Sequence, residues 1–488
     1  MTADEIGGRP PIEPLECAHP VRFQSDGELD RLREATLHVL EHVGVTFPSA
    51  RALELLSAHG ARVDAATQIV KFPPDLVLRA MATAPRFYVL GARDPSCDVR
   101  FADGVSYLTN DGCGHLVLDV GSTATRPSTK DDVAQATRVC DHLSAVSFLW
   151  PMISAQDRGA TAPLHEIDAM WSNSVKHVQG FVHGAAAARR AVEMATIVAG
   201  DETARRARPP LSAMVCTVSP LMQDREAIEA ALEFAAAGVP VGFTSMPTMG
   251  TTAPATLAGL LAVADAEIVS AIVLVQLAVP GAPVFHSILP AHCDPRTGAY
   301  VPKPLNRYGR TSVVEIAHHW GVPSQVGGFG TGARKPGTWQ AAAEVALDLY
   351  PLALAGADMI AGIGLLDGST VLALDSLLLD ADLYHRTRYA LQRLPIDDET
   401  LALDTVAQVG PGGHYLGTRH TRRHLRDTLV PGLQHETGPD GEYRDPLAVA
   451  RERVASILAQ HHPEPLSDDR RRALDEVLEA ADREAAER

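Results

Sequence analysis

Lysine is scarce in this chain. Only five are present (Lys71, Lys130, Lys176, Lys303, Lys335), although Lys and Arg together number 43. A compositional bias towards Arg accounts for that. Cysteine is scarce too: Cys17, Cys97, Cys113, Cys140, Cys216 and Cys293 are scattered without a CxxC pair. They read as core residues of a protein kept reduced. The N-terminal MTADEIGGRPPIEP lacks the apolar core of a secretory signal, and no stretch reaches the ~18 consecutive apolar residues of a membrane span. The most apolar run, 267–289, is interrupted by Gln276, Pro280 and Pro283. A cytoplasmic location and no membrane partner are expected. Positive charge is also in deficit: 43 basic against 60 acidic side chains leave a net charge of −17. Such a chain repels a phosphate backbone, so nucleic acid is not an expected partner.

What is present is a large potential core, with 46% hydrophobic and 21% charged residues. An N-terminal arm leads into a helix over 28–43, where Leu29, Leu32, Leu37, Leu40 and Val43 recur at helical spacing. From about 104, short apolar runs alternate with amphipathic helices. The runs fall near 105–109, 145–150, 178–183, 211–217, 239–245, 283–288, 323–328 and 357–362. The helices fall near 129–142, 164–176, 185–199, 223–237, 254–278, 311–320, 339–355 and beyond Gly364. Ser128-Thr129 before two aspartates marks one helix start, and Gly238 one helix end. Eight strand–helix units of this length predict an α/β fold, a (β/α)₈ TIM barrel over 104–398. A helical cap over 1–103 precedes it, and a helical extension over 399–488 follows, packed on the barrel. In the last helix Leu474, Val477, Leu478 and Ala481 share a face, suited to the barrel or to another subunit, which leaves a homo-oligomer open. A doubly wound sheet competes, but no GxGxxG follows the first strand to support a dinucleotide site.

Barrel active sites lie at the C-terminal ends of the strands. The residues there are Asn110, Asp111, Trp150, Met152, His183, Thr217, Ser219, Ser245, Met246, His286, Ser287, Gly328 to Thr331, Gly362 and Gly364. Asp111 is nearly alone as a carboxylate, so paired-carboxylate chemistry is poorly supplied. His292-Cys293-Asp294 has no second cysteine at ligand spacing, and no metal is expected. Alternation puts Gln179, Phe181 and His183 on one face of the third strand, read as the interior, and pairs Val284 with His286 on the sixth. The glycine-rich turn 327–335 is the most distinctive local feature. Its backbone amides, the following helix N-terminus, Arg334 and Lys335 suit an anion.

Several segments then carry a resemblance: DVGSTATRPSTKD at 119–131, SNSVKH at 172–177, SPL at 219–221, GVPVGFTSMPTMGTTAPATLAG at 238–259, QLAVPGAPV at 276–284 and GPGGHYLGTRHTRRHLR at 410–426. In these the chain resembles the trimethylamine methyltransferase family over roughly residues 28 to 460. The resemblance implies a barrel that passes a methyl group from an amine to a corrinoid on a separate protein, with no tightly bound cofactor of its own. Founding members carry pyrrolysine in the loop after the seventh strand, and its place here falls at about Thr331. The chain therefore resembles the branch without pyrrolysine, whose members demethylate quaternary amines such as glycine betaine. It departs from many relatives at Ala333, where they have Asp.

On that reading, Tyr107, Trp150, Phe181 and Tyr308 are candidate aromatic faces for a quaternary nitrogen. Asn110, Asp111, His183, His286 and Arg334 are further substrate contacts, with Lys176 a weaker anchor. Gly328, Gly330, Gly332, Gly362, Gly364 and His414 would admit the corrinoid face. A non-catalytic barrel that captures a small cationic osmolyte is the alternative.

Overall fold

The computed structural model describes residues 10–298, 300–301, 307–327, 330–428 and 432–487. Eight parallel strands form its centre. They are β1 Val105–Asn110, β2 Val146–Leu149, β3 His177–Gly180, β4 Leu211–Val218, β5 Val241–Ser245, β6 Val284–Ile288, β7 Gln325–Gly327 and β8 Met359–Ile363. From β1 to β6 each pairs with the next, β7 pairs with β8, and β8 returns to β1 through Met359↔Tyr107 and Ile360↔Leu108. The remaining gap, β6 to β7, is bridged by His286↔Ser324 and by the His286 amide donating to the Pro323 carbonyl at 2.9 Å. The ring is a (β/α)₈ barrel, as the eight units predicted.

The strands are connected by α1 Lys130–His142, α2 Ala162–Ser172, α3 Ala185–Ala199, α4 Arg225–Ala237, α5 Leu257–Ala278, α6 Arg307–His319 and α7 Trp339–Leu354, and α8 Leu374–Ala390 follows β8. Local chemistry sets their ends. Thr129 caps α1 in a reciprocal capping box with Asp132, and Gly238 closes α4 at φ 76°, a left-handed turn that costs glycine nothing. One boundary differs from expectation. β3 stops at Gly180, so Phe181 and His183 lie in the following loop rather than on the strand.

Alternation sorts the strand residues. Leu108, Val178, Ala213, Val215, Phe243, Val284 and Ile360 face outward into the layer beneath the helices. Tyr107, Phe148, Met214, Phe285 and Met359 face inward, where Leu90 and Val99 of the hairpin 89–100 and Phe101 just after it plug the N-terminal end of the lumen. Higher up the lumen turns polar. Gln179 and Gln325 exchange amide hydrogen bonds across it at 3.0 Å, and Thr244 donates to Ser287 at 3.0 Å.

The helix α5 is long and apolar enough to cross a membrane, but it is a core helix. The N-terminal helices Asp26–His38, Ala50–Ala58 and Pro74–Met81 pack over it. A helix covered on every side has no need of a polar face. At the other terminus, helix Pro446–Gln460 packs on α8 and α1, and helix Asp468–Ala486 packs on α3. The latter buries Leu474, Val477, Leu478 and Ala481, the face read from the sequence. Its Arg471 and Lys130 each reach Asp168 at 2.6 Å.

Candidate active site

The open end of the barrel is built around Trp150 and Asp111. Asn110 at the end of β1 fixes the end of β2: its amide donates to the Trp150 carbonyl at 2.6 Å and its oxygen accepts the Trp150 amide at 3.1 Å. Gly112 lies against the indole so closely that a Cβ there would come within 2.8 Å of the ring. Trp150 is thereby buried in the lumen cluster, and its indole N–H finds no acceptor among the described residues. A buried donor left this way costs about 1–3 kcal/mol. Asp111 is also buried; one oxygen accepts the Gly112 amide at 2.9 Å and the other the Ser369 hydroxyl.

Two thiols share this end. Cys113 follows Asp111 with φ 71° and is exposed. Cys216 continues the inward-facing series of Ser212 and Met214 on β4. Although part of Cys113 reaches the surface, desolvation of its sulfur, with Asp111 and Glu166 adding, pushes the thiol up to about 12. Desolvation, with Cys113 and Asp224 adding, does the same for Cys216. Both are protonated at neutral pH and poor nucleophiles. Reading all six cysteines as core missed this pair. For Cys216 the alternation along β4 was a usable signal; for Cys113 there was none. On the rim, Phe181 and exposed His183 stack edge to face at 4.8 Å.

The loop after β7 is drawn inward. The Thr331 hydroxyl donates to Glu344 of α7 at 2.8 Å and accepts the Ala333 amide at 3.0 Å, and Glu344 also accepts the Gly332 amide at 2.7 Å. Thr331 and Ala333 are buried. Gly330 packs against the Leu365 carbonyl and Gly364 against Leu377, both at positive φ, so neighbouring atoms already account for glycine there. Gly332 is exposed, and Gly362 is half-buried with φ 120°.

Several sequence candidates are elsewhere. Tyr107 lies at the plugged end, its hydroxyl donating to the Arg100 carbonyl at 2.9 Å. It cannot face a ligand at the mouth. His286 faces outward, not into the lumen: its Nε2 donates to Asp265 of α5 at 2.8 Å, and Asp265 also accepts from Thr36 and Trp320. One residue of register separates the two faces of a strand, and Phe285 takes the inner one. Asn110 spends its amide on backbone, as above. Arg334 is 83% exposed and pairs with Asp367 at 3.2 Å, away from the lumen. Lys176 is neither anchor nor solvated: fully buried, it donates to the carbonyls of Cys140, Leu143 and Val146 at 2.6–2.8 Å, closing the C-terminal end of α1. His414 sits in the exposed stretch after α8 and joins none of these groups. Gly328 lies outside the described residues, as does the side chain of Tyr308.

What converges is Trp150, Asp111, Phe181, His183 and the two thiols, above a lumen lined by neutral polar groups. Among the described residues no set of His, Cys, Asp or Glu is gathered to hold a metal. The arrangement sets an aromatic ring, Trp150, beside two carboxylates, Asp111 and Glu166, that both act on Cys113.

The fold places this mouth at the C-terminal ends of the strands, where barrel enzymes carry their active sites. The family model described as trimethylamine methyltransferase (MTTB) matches residues 11–486. The trimethylamine methyltransferase of Desulfitobacterium hafniense (strain DSM 10664 / DCB-2) is 33% identical over 94% of this chain and 94% of its own. The glycine betaine methyltransferase of Desulfitobacterium hafniense (strain Y51) is 27% identical over 91% of this chain and 94% of its own. Among solved structures, the Methanosarcina barkeri monomethylamine methyltransferase aligns over 88% of this chain and 92% of that one, at 14% identity and TM-score 0.48. This chain belongs to the trimethylamine methyltransferase family and is a methyltransferase.

Proposed function

We propose that this methyltransferase moves a methyl group from a quaternary amine of the glycine betaine kind to a corrinoid carried by a separate protein in the cytoplasm. The carrying observation is Thr331. In the position that the family resemblance assigns to an electrophilic lysine derivative stands a buried threonine, its hydroxyl committed to Glu344 and Ala333. Without an electrophile to assist, the leaving group must already be good. A quaternary ammonium meets that need: the C–N bond breaks with its electron pair going to nitrogen, and a neutral tertiary amine departs. The corrinoid supplies the nucleophile for the methyl carbon when its protein is docked.

The residues of this chain then have modest tasks. Trp150 offers an aromatic face to the cation and an indole N–H to a substrate carboxylate. Asp111 adds a negative charge near the ammonium, and the neutral lumen replaces bulk water around it. The rim supports approach of a flat macrocycle. Along Gly330–Ala333 and Gly362–Gly364 the Thr331, Ala333 and Ile363 side chains are all buried, and nothing large projects.

The test is incubation of the purified protein with glycine betaine, proline betaine, carnitine or choline and a corrinoid protein held as cob(I)alamin. A methylcobalamin spectrum with at least one quaternary amine is expected. Turnover of trimethylamine alone, or of none of them, would overturn the proposal.

A further inference from the structure

His142, the last residue of α1, is only 2% exposed, and neither nitrogen of its imidazole finds a hydrogen-bond partner among the described residues. His461 stands edge to face against it at 5.0 Å, but its own Nε2 is held by Asp141 at 2.8 Å. A neutral imidazole carries one donor and one acceptor, and a buried polar group left unpaired costs about 1–3 kcal/mol.

The His142 ring lines a cavity of about 460 Å³ between the end of α1, the second half of α8, the N-terminal arm and helix Pro446–Gln460. Small-molecule sites occupy roughly 300–1,000 Å³. Barrel helices run back from the mouth, so this cavity lies towards the opposite end of the barrel. Leu143, Leu378, Ala381, Leu433 and Ile457 make much of its wall.

The polar groups facing the cavity divide into spent and unspent. Glu13 accepts the Ser144 hydroxyl at 3.1 Å, with His385 at 3.5 Å. Asp382 accepts the Leu433 amide at 2.8 Å and Arg386 at 2.9 Å, and Arg453 is taken up by Glu436. Arg388 differs: its Nε donates to the Pro14 carbonyl at 3.2 Å, but its Nη1 stays 3.6 Å from Glu13, beyond hydrogen-bond reach. What is left to a ligand is an imidazole and the end of a guanidinium. Lys176 and His461 add positive charge around the imidazole. Spent acids beside unspent donors select an anionic head, and the apolar wall selects an apolar body.

We propose that this cavity binds a small organic carboxylate with an apolar body, its head held by the His142 N–H and the Arg388 guanidinium. The bound acid bridges α1, α8 and the C-terminal helix 446–460, and so fastens the extension to the barrel. Ligands that bind only the folded state raise its stability.

Isothermal titration calorimetry and thermal melting of the full chain test this, with benzoate and isovalerate as probes and benzylamine as the cationic counterpart. Both carboxylates are expected to bind and to raise Tm, and benzylamine to do neither. His142→Phe keeps a ring in place and removes the unpaired nitrogens. It should hold or raise the ligand-free Tm while weakening both carboxylates by roughly tenfold or more. Arg388→Gln should weaken them similarly. A merely structural histidine would do the reverse, losing stability and leaving affinity unchanged. The proposal is overturned by carboxylates that do not bind at millimolar concentration, that bind no better than benzylamine, or that bind His142→Phe as well as wild type. Binding lost in Trp150→Leu but kept in His142→Phe puts the acid at the mouth, which also overturns it. So does binding that appears only after residues 1–9 are deleted, since the chain itself is then the occupant.

Discussion

Trp150 and Lys176 show how differently two residues of interest are used. Trp150 keeps an unsatisfied N–H at the mouth, whereas Lys176 spends all three hydrogens on carbonyls. Replacing Trp150 by Leu should weaken substrate binding by about 0.5–2 kcal/mol, roughly a two- to thirtyfold rise in KM. Trp150→Phe retains the face, so it should raise KM only for carboxylate-bearing amines and leave choline near wild type. Methyl-transfer kinetics on both substrates check this. Lys176→Met takes a donor from three carbonyls, of which that of Leu143 keeps the Val146 amide at 3.1 Å, and should cost about 3 kcal/mol, seen as a fall in Tm.

At the scale of elements, α5 ties the ring together from outside. Its buried Glu267 accepts the hydroxyls of Thr217, Ser219 and Ser245 at 2.7–2.9 Å and the Leu221 amide at 2.9 Å. One carboxylate thus gathers the ends of β4 and β5 and the loop between β4 and α4. Glu267→Gln turns one acceptor into a donor facing donors, and should lower stability by about 1–3 kcal/mol. The disturbance falls at the mouth, so chemical denaturation and kcat should change together. In the same way Asp265 holds His286 of β6 against Thr36 of the N-terminal helix, which is why that helix belongs to the barrel's wall.

Acid sensitivity belongs to the whole molecule. Desolvation lowers His177 to about 4 inside the lumen, where its Nδ1 donates to the Gly91 carbonyl at 2.7 Å. Desolvation, aided by His461, lowers His142 to about 4 beneath the C-terminal helices. Between pH 6.5 and 4 the unfolded chain binds protons at these sites that the folded chain refuses, so stability falls as pH drops through that window. It is fully present above 6.5. Thermal melting across this range should show the decline, and His177→Gln, which does not titrate, should make it shallower.

Periodicity made the strand–helix repeat legible because eight apolar runs separated by amphipathic helices admit few other folds, and capping chemistry set boundaries such as Thr129 and Gly238. The family was legible from the 238–259 and 410–426 segments, and the face of the last helix from its four apolar positions. The sequence alone thus determined the architecture and the class of enzyme. It did not determine which candidate residues meet. Tyr107 and His286 read as site residues because they are polar or aromatic near the right strands, but depth in the barrel and side of the strand are set by packing partners distant in sequence. The plug at 89–100 claimed one, and Asp265 the other. Only the tertiary structure brought Asp111, Cys113, Trp150 and Cys216 together, since burial and convergence are properties of the assembled ring.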